Sequence, residues 1–378
     1  MTIMRHATLV LALSVVFTAV AQGQGFDFTG RAAYFAESYT FDDGLAYKNV
    51  SEYTWPVGLN VSLGRRFDLA LSTGYVIVRL ESAVPNQLPD QRLSGIMDTE
   101  ARLSYNVVPG RVVIFGTGVI PTGIQTVSTE QLSILGAIAS DLIGFTATTL
   151  GTGGTVGGGF AGAVPLGKFA IGISGTFTNP MSYVPVVGDS KALIPGAEVR
   201  LRVGLEGPLS RRTYFRTAVI YAARKQDVVG DSTQNGVGDR FIAYVSANHT
   251  IGPGTATLFA FDVFRNSATL EPGLVGAAIL PRGNLLALGG RYDWRIGFGT
   301  TVAPRVEFRV STAAPLEGDT KLLLAGQSVR YGLDIRRQFG RSLIGALQVD
   351  GLSGFIVQAG ERVGMHGYRV SAHAEWRP

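Results

Sequence analysis

The sequence predicts an all-β fold: a transmembrane antiparallel up-and-down β-barrel of about 16 strands, with about 14 also possible, carrying one long inward or capping loop. Many segments of strand length alternate apolar side chains with polar or small ones, which places the two kinds on opposite faces of a sheet. Short Gly/Pro turns alternate with longer polar loops along the chain. The mean hydropathy is +0.23, yet no apolar run after the N-terminal segment approaches the ~18 residues of a membrane helix.

The N-terminus predicts a signal peptide. Arg5 and His6 precede an apolar run, and Ala19-Val20-Ala21 offers a small-x-small cleavage pattern. Residues 1–21 are therefore expected to direct export and to be removed, which leaves residues 22–378 as the barrel. The alternative is an N-terminal membrane anchor, for which the apolar run is short.

The strands are predicted from the alternation and from the turns between them. The clearest hairpin spans residues 52–80 around Gly64-Arg65-Arg66, with one apolar, aromatic face and one small or polar face. The predicted strands lie at residues 26–39, 52–63, 67–80, 97–107, 112–119, on both sides of a turn at 165–168, and then at 198–206, 215–224, 240–248, 255–264, 286–295, 302–310, 329–336, 342–350 and 366–376.

Energetics predict which face of each strand meets lipid. An arginine on the lipid face near the bilayer midplane costs about 2–4 kcal/mol. A slip of one residue in the strand at 198–206 would expose Arg200 and Arg202 to lipid and turn four large apolar residues inward. The polar face is therefore expected to line the barrel. A soluble β-sandwich would also alternate, but its strands are shorter and its core has two layers.

Composition narrows the function. The chain has no cysteine, which excludes disulfides and thiolate sites, and no cofactor or metal site is predicted. The net charge is +5, but the arginines recur at every second position within strands instead of clustering, which favours a lined interior over nucleic-acid binding.

A barrel this wide leaves a water-filled channel, and the polar face supplies its wall. Two interpretations of the wall remain open. It is either a positive stripe that favours anionic solutes or a cross-strand ladder of arginine–carboxylate pairs that only stabilises the barrel. The predicted pore-lining residues are Glu100, Arg102, Glu198, Arg200, Arg202, Arg216, Arg240, Arg291, Arg295, Arg305, Glu307, Arg309, Arg330, Arg336 and Arg369.

The longest connection, residues 121–153, is long enough to be functional. Thr129 and Glu130 predict a helix start, and residues 132–143 are apolar at helical spacing. The chain resembles general porins in strand number and in this longer loop after the fifth strand, which in porins folds inward and narrows the pore. The resemblance implies that Glu130 and Asp141 face the arginine wall at a constriction. The apolar composition also suits a hydrophobic plug or a surface cap.

A second resemblance is to FadL-like transporters of hydrophobic compounds. It rests on the glycine-rich barrel, the apolar loop and loop stretches such as residues 231–238. Such transporters carry an N-terminal hatch, for which the few residues between the cleavage site and the first strand leave no room. A non-conducting surface barrel used for adhesion is a third reading.

Enzyme motifs are weak, and no enzyme is predicted. Residues 162–168 nearly spell a phosphate-binding loop, but Phe169 and a strand follow where a Ser or Thr and a helix are needed. A barrel-embedded hydrolase with a Ser/His/acid set stays open. The sequence thus predicts a Gram-negative outer-membrane channel for passive diffusion of small solutes. The expected partners are outer-membrane lipid, the solute and the barrel-assembly machinery; nucleic acid is not expected, and the oligomeric state is not predicted.

Overall fold

The computed structural model describes residues 27–84, 89–271, 281–314 and 321–377, and these form a closed antiparallel barrel. Seventeen strand segments make one continuous sheet. Two of them, Gln91–Ile96 and Thr99–Val108, both pair with Phe67–Ser82 and are the two parts of one interrupted barrel strand. The barrel therefore has 16 strands, and the predicted fold class is confirmed. The predicted signal peptide, residues 1–21, lies outside the described residues.

The barrel strands are β1 (Asp27–Phe41), β2 (Tyr47–Leu63), β3 (Phe67–Ser82), β4 (Gln91–Ile96), β5 (Thr99–Val108), β6 (Val112–Ile120), β7 (Thr155–Leu166), β8 (Phe169–Pro180), β10 (Glu198–Ser210), β11 (Thr213–Arg224), β14 (Arg240–Ile251), β15 (Gly254–Arg265), β16 (Gly283–Gly297), β17 (Thr300–Ala313), β18 (Leu323–Phe339), β19 (Leu343–Gln358) and β20 (Glu361–Trp376). Three two-residue strands, β9 (Leu193–Ile194), β12 (Val228–Val229) and β13 (Ser232–Thr233), form a small sheet between loops. One helix, α1 (Leu132–Ile138), lies between β6 and β7.

Pairing of the first and last strands closes the barrel. Phe35 of β1 lies opposite Thr54 of β2 on one side and opposite Ser371 of β20 on the other. Closure pairs the backbone groups that a sheet edge would leave free, which is the condition for a sheet to cross hydrocarbon. Among the described residues, no helix is long and apolar enough to span a membrane.

The two ends of the barrel differ in their connections. Short turns at one end place Gly64, Gly110 and Gly167 at φ values of 72°, 73° and 59°, a left-handed conformation that glycine adopts without steric cost. Most connections at the other end are long. An exception is the connection after β19, which continues to Gln358, beyond the predicted strand end at residue 350, so that a tight turn leads directly into β20.

Apolar side chains cover the outside of the barrel. Leu201 and Val203 of β10 are more than half exposed, and an aromatic row joins Tyr34, Trp55 and Tyr75 at centroid distances of 5.2 and 6.0 Å. Directly opposed residues share a face of the sheet. By that rule the acidic residue Asp262 of β15 faces outward, because it lies opposite the exposed Leu286.

Candidate pore and its inward-folded loop

The connection between β6 and β7 folds into the barrel. Its helix α1 packs against β3 and β4, and Ile134 and Ile138 are fully buried there. They belong to one apolar cluster with inner-face side chains of β3 and β4, among them Val76 and Leu93. The loop therefore lies inside the barrel, and of the arrangements left open by the sequence the surface cap is wrong.

Wall side chains hold the backbone of the loop after α1. Four consecutive carbonyl groups accept hydrogen bonds from β17, β18 and β20. The pairs are Arg309 Nη1 to Asp141 O at 2.8 Å, Ser328 Oγ to Leu142 O at 3.2 Å, Arg330 Nη2 to Ile143 O, and Arg369 Nη2 to Gly144 O at 2.5 Å. Three arginines that the sequence assigns to an open wall therefore also bind protein.

Two buried carboxylates on the adjacent strands β1 and β2 bind the next residues of the loop. Glu37 of β1 accepts hydrogen bonds from the backbone N–H and the hydroxyl of Thr146, and Glu52 of β2 accepts one from the N–H of Ala147 at 2.7 Å. Glu37 is also paired with Arg369 at 2.8 Å. Residues 141–147, called the clamped segment below, are therefore bound through both their carbonyl and their N–H groups.

The helix in the loop is shorter than predicted. The apolar spacing predicts a helix over residues 132–143, whereas α1 ends at Ile138. The last four carbonyls of an α-helix have no partner within the helix, so a helix that ran to residue 143 would also leave the carbonyls of residues 141–143 free. In the barrel these carbonyls accept hydrogen bonds from the wall, and Gly144, which follows them, has a φ of 66°, outside the helical range. The wall thus binds the segment that was predicted as the last turn of the helix.

A second carboxylate contact closes the neck of the loop. Asp98, between β4 and β5, accepts hydrogen bonds from the backbone N–H of Gly123 at 2.9 Å and of Thr152 at 3.0 Å. Gly123 lies where the chain enters the loop, and Thr152 lies where it leaves the loop. Asp98 therefore fixes where the loop leaves the wall, while the clamped segment fixes where it lies inside.

A cavity of about 1000 Å³ occupies the end of the barrel that carries the short turns. It is lined by the predicted residues Glu100, Arg102, Arg291 and Arg336, together with Asp334. Arg291 Nη1 donates to Asp334 Oδ2 at 3.0 Å. We call this cavity the vestibule.

Most of the predicted wall arginines have a carboxylate partner on the inner face. The partners are Glu198 for Arg200 and Arg240, Glu206 for Arg216, Asp293 and Asp334 for Arg291, Asp350 for Arg305, Glu307 for Arg309, and Glu37 for Arg369. Arg202 and Arg216 also line a smaller space of about 210 Å³ between β7, β8, β10 and β11. A ladder of ion pairs is therefore present along much of the wall.

Other predicted arginines have no such partner. Within the described ranges, Arg102, Arg202, Arg295, Arg330 and Arg336 have no carboxylate oxygen within 4.0 Å. The guanidinium of Arg102 stacks over the ring of Phe115 at 3.8 Å. The wall thus combines the two arrangements that the sequence left open, paired arginines and an excess of unpaired ones.

The two acids expected at the constriction lie in different surroundings. Asp141 begins the clamped segment, and its carboxylate is 3.8 Å from Arg265, an arginine that the sequence analysis did not single out. Glu130 lies in the turn before α1, where a hydrogen bond from Ser128 holds the pKa of its carboxyl below the usual range. Their role in permeation stays a prediction.

The residues that the sequence analysis missed are the acids on the loop side of the barrel. Glu37 lies in the strand with the weakest alternation, so its facing could not be assigned. Glu52 had an inward facing but no predicted partner. A buried carboxylate needs hydrogen-bond donors, and here a loop about 95 residues further along the chain supplies them. No local pattern signals such a contact.

Comparisons with known proteins do not place the chain in a family. No family model and no curated protein matches it. Pseudomonas aeruginosa OccK7 (OpdD) is 12% identical with a TM-score of 0.45, over 93% of this chain and 98% of that one. A loop L8 deletion mutant of OmpT, an outer membrane protein of Vibrio cholerae, is 10% identical with a TM-score of 0.44, over 93% and 99%. A bacterial polysaccharide outer membrane secretin is 9% identical with a TM-score of 0.47, over 93% and 98%.

Similarities at these identities and TM-scores do not carry an assignment, so the architecture rests on the chain's own strand pairing. A closed antiparallel barrel of 16 strands with an apolar exterior is an outer-membrane architecture. The chain therefore has the architecture of an outer-membrane β-barrel, as the sequence predicted.

Proposed function

We propose that the protein is an outer-membrane channel through which small polar solutes diffuse passively, past the clamped segment and through the vestibule. The observation that carries the proposal is the inward loop fixed to one side of the wall. Its clamped segment is bound by β1, β2, β17, β18 and β20, which together with β19 are consecutive strands around the barrel. A loop held to one side narrows a barrel without filling its whole width.

The opposite wall is suited to a passage. On its inner face, β7 and β8 carry small residues such as Gly157, Ala161 and Gly172. Beside them, β10 and β11 carry the exposed ion pair between Arg216 and Glu206. Small side chains leave room, and exposed charges keep that room hydrated. The passage we propose therefore runs between the clamped segment and the wall made by β7, β8, β10 and β11.

The chemistry of the loop favours a polar solute over a hydrophobic one. Apart from the exposed Leu132, its large apolar side chains pack toward the wall, and Ile134, Ile143 and Phe145 are buried in the apolar cluster. They are therefore not available to a hydrophobic cargo, which supports the channel reading over a FadL-like transporter. The unpaired arginines of the vestibule, Arg102 and Arg336, add positive charge that we expect to favour anions.

Planar-bilayer recording tests the proposal. A variant lacking residues 124–150, with the ends joined by a Gly-Gly linker, is expected to conduct several-fold more than the full chain, because the obstruction is gone. The heat-dependent shift in gel mobility that marks a folded barrel controls for assembly. Unchanged conductance in a folded variant would remove the constriction, and a folded full-length barrel that passes no current would remove the channel.

Reversal potentials in a salt gradient test the charge preference separately. The expected sign is anion selectivity, and the effect is expected to weaken at high ionic strength because salt screens the wall charges. Cation preference would contradict the anion proposal while leaving the channel intact.

A further inference from the structure

Two arginines face outward at the end of the barrel that carries the long loops. Arg79 of β3 and Arg92 of β4 lie directly opposite each other in the strand pairing. Both are exposed, whereas their chain neighbours Val78, Leu80 and Leu93 are buried inside the barrel. The pair therefore projects from the outer surface.

The strand register places this pair at the boundary of the apolar belt. One row of opposed residues contains Ser38 of β1, Ser51 of β2, Arg79 and Arg92. The next row toward the short-turn end contains Tyr53 and Ile77, where the apolar surface begins. We call the first of these the rim row. Aromatic residues mark the interface of membrane barrels, so the rim row lies at the level of lipid headgroups.

The rim row lacks a negative partner from the protein. Like charges directly opposite each other on a sheet are destabilising. In the described part of the chain, neither arginine has a carboxylate oxygen within 4.0 Å, and the nearby Glu81 is paired with Lys48 at 3.3 Å. The residues of the same hairpin that lie outside the described ranges, 85–88, carry no charge in the sequence. Arg79 also stacks over the ring of Tyr53 at 5.8 Å, a contact that does not neutralise its charge, so an anion from the surroundings would relieve the repulsion within the pair.

We propose that Arg79 and Arg92 bind a phosphate group of an anionic glycolipid in the outer leaflet. The long loops of such barrels face the cell exterior, which places the rim row in that leaflet. The planar fork of arginine matches phosphate oxygens, and two forks on adjacent strands can hold one group together. Ser38 and Ser51, whose hydroxyl oxygens are 3.1 Å apart, extend the row with polar groups that can meet the sugar. The binding depends on the barrel lying in the membrane and is independent of conduction.

Native mass spectrometry of the intact chain in phosphatidylethanolamine nanodiscs containing bisphosphorylated lipid A tests this site. The double variant Arg79→Gln/Arg92→Gln is expected to retain lipid A about tenfold less strongly, because two charge-assisted contacts are lost. The matched control is Arg362→Gln, which removes an outward cation at the same end of the barrel that stacks on Phe355 at 4.6 Å. It is expected to retain lipid A like the parent chain. Gel mobility and single-channel conductance confirm that each variant is folded.

Two further arms identify the ligand. The first arm uses lipid A without its phosphates. The parent chain is expected to retain this lipid as weakly as the double variant retains bisphosphorylated lipid A. Excess inorganic phosphate is expected to leave the bound lipid in place, because the acyl chains also hold it. Equal retention of lipid A by the double variant and the parent would overturn the proposal. So would equal retention of the dephosphorylated lipid, or full displacement by inorganic phosphate, which would indicate a site for the free ion.

Discussion

The inner wall of the barrel has two regions that use the same residue types for different purposes. On the loop side, formed by β1–β4 and β17–β20, charged groups are buried and bind the loop, as Arg369 does with Glu37 and Gly144. On the open side, formed by β7, β8, β10 and β11, they are exposed and bind one another, as Arg216 does with Glu206. The difference teaches that an inward arginine is part of a pore only where no protein covers it.

The largest expected difference between the two sides is energetic. Within the described residues, Arg369 is the only cation paired with the fully buried Glu37, and it also binds the clamped segment at Gly144. Arg369→Ala would remove both contacts. Breaking a buried pair leaves an uncompensated charge and costs about 3–5 kcal/mol. We expect a lower free energy of unfolding in urea titrations of the barrel in lipid vesicles, together with a noisier open-channel current.

Arg216→Ala is the matched control for that change on the open side. Its pair with Glu206 is about half exposed on both side chains, and exposed pairs contribute about 0.2–1 kcal/mol. The free energy of unfolding is therefore expected to change little. If the two variants lose the same free energy of unfolding, the proposed difference between the loop side and the open side is wrong.

The apolar contact of the loop is expected to give a similar or smaller effect. Ile134→Ala would open a cavity between α1 and the inner faces of β3 and β4, and such truncations of fully buried residues cost about 2–5 kcal/mol. The loop should become more accessible, which limited proteolysis of the folded barrel in detergent would detect as faster cleavage within residues 121–153.

Leu132→Ala provides the comparison within the same helix, because Leu132 is exposed. Its cleavage rate is expected to match that of the parent chain. If Ile134→Ala leaves the rate unchanged as well, the loop is held by the clamped segment alone and the apolar cluster does not contribute.

The smallest expected effect concerns charge in the vestibule. Arg102→Gln/Arg336→Gln removes two cations without carboxylate partners in the described ranges, from a cavity that any permeating ion crosses. In a tenfold salt gradient the reversal potential is expected to move toward the cation-selective side, within the limit of about 59 mV for a monovalent ion. The charge-conserving variant Arg102→Lys/Arg336→Lys should keep the parent value. A shift of the same size in both variants would trace selectivity to side-chain shape rather than charge.

The number and facing of the strands could be predicted because lipid imposes a strong rule. A charged residue on the lipid face is costly, so the alternation in strands such as β10 has a single reading. Near the long-loop end the rule reverses. There the apolar Val76 and Val78 face the barrel interior, where the loop covers them. Arg79 can face outward because its row lies beyond the apolar belt, at the level of the lipid headgroups. The same reversal explains why the predicted strands omit the long-loop ends of β19 and β20. There the apolar Leu352 lies inside the barrel and the polar Ser353 lies outside.

The candidate site was predictable only in part. The inward loop was implied by the resemblance to porins, beside a plug and a surface cap, and the inward arginines followed from the alternation. Which arginines meet water and which meet the loop depends on where the loop lies after folding. The contact between Arg369 and Gly144 joins residues that are 225 positions apart, and no periodicity within one strand encodes it. Pairwise packing across the barrel interior therefore decides the role of each wall residue.

The way the clamped segment is attached has a consequence for how such a channel can change. Arg309 and Arg369 donate to backbone carbonyl oxygens, which every residue possesses. Glu37 and Glu52 accept from backbone N–H groups, which every residue except proline possesses. Apart from the hydroxyl of Thr146, which also donates to Glu37, these anchors therefore do not depend on the identity of the loop side chains. In the proposed channel, an exposed position such as Asp141 can therefore exchange one side chain for another and alter the selectivity, while the attachment of the loop to the barrel stays the same.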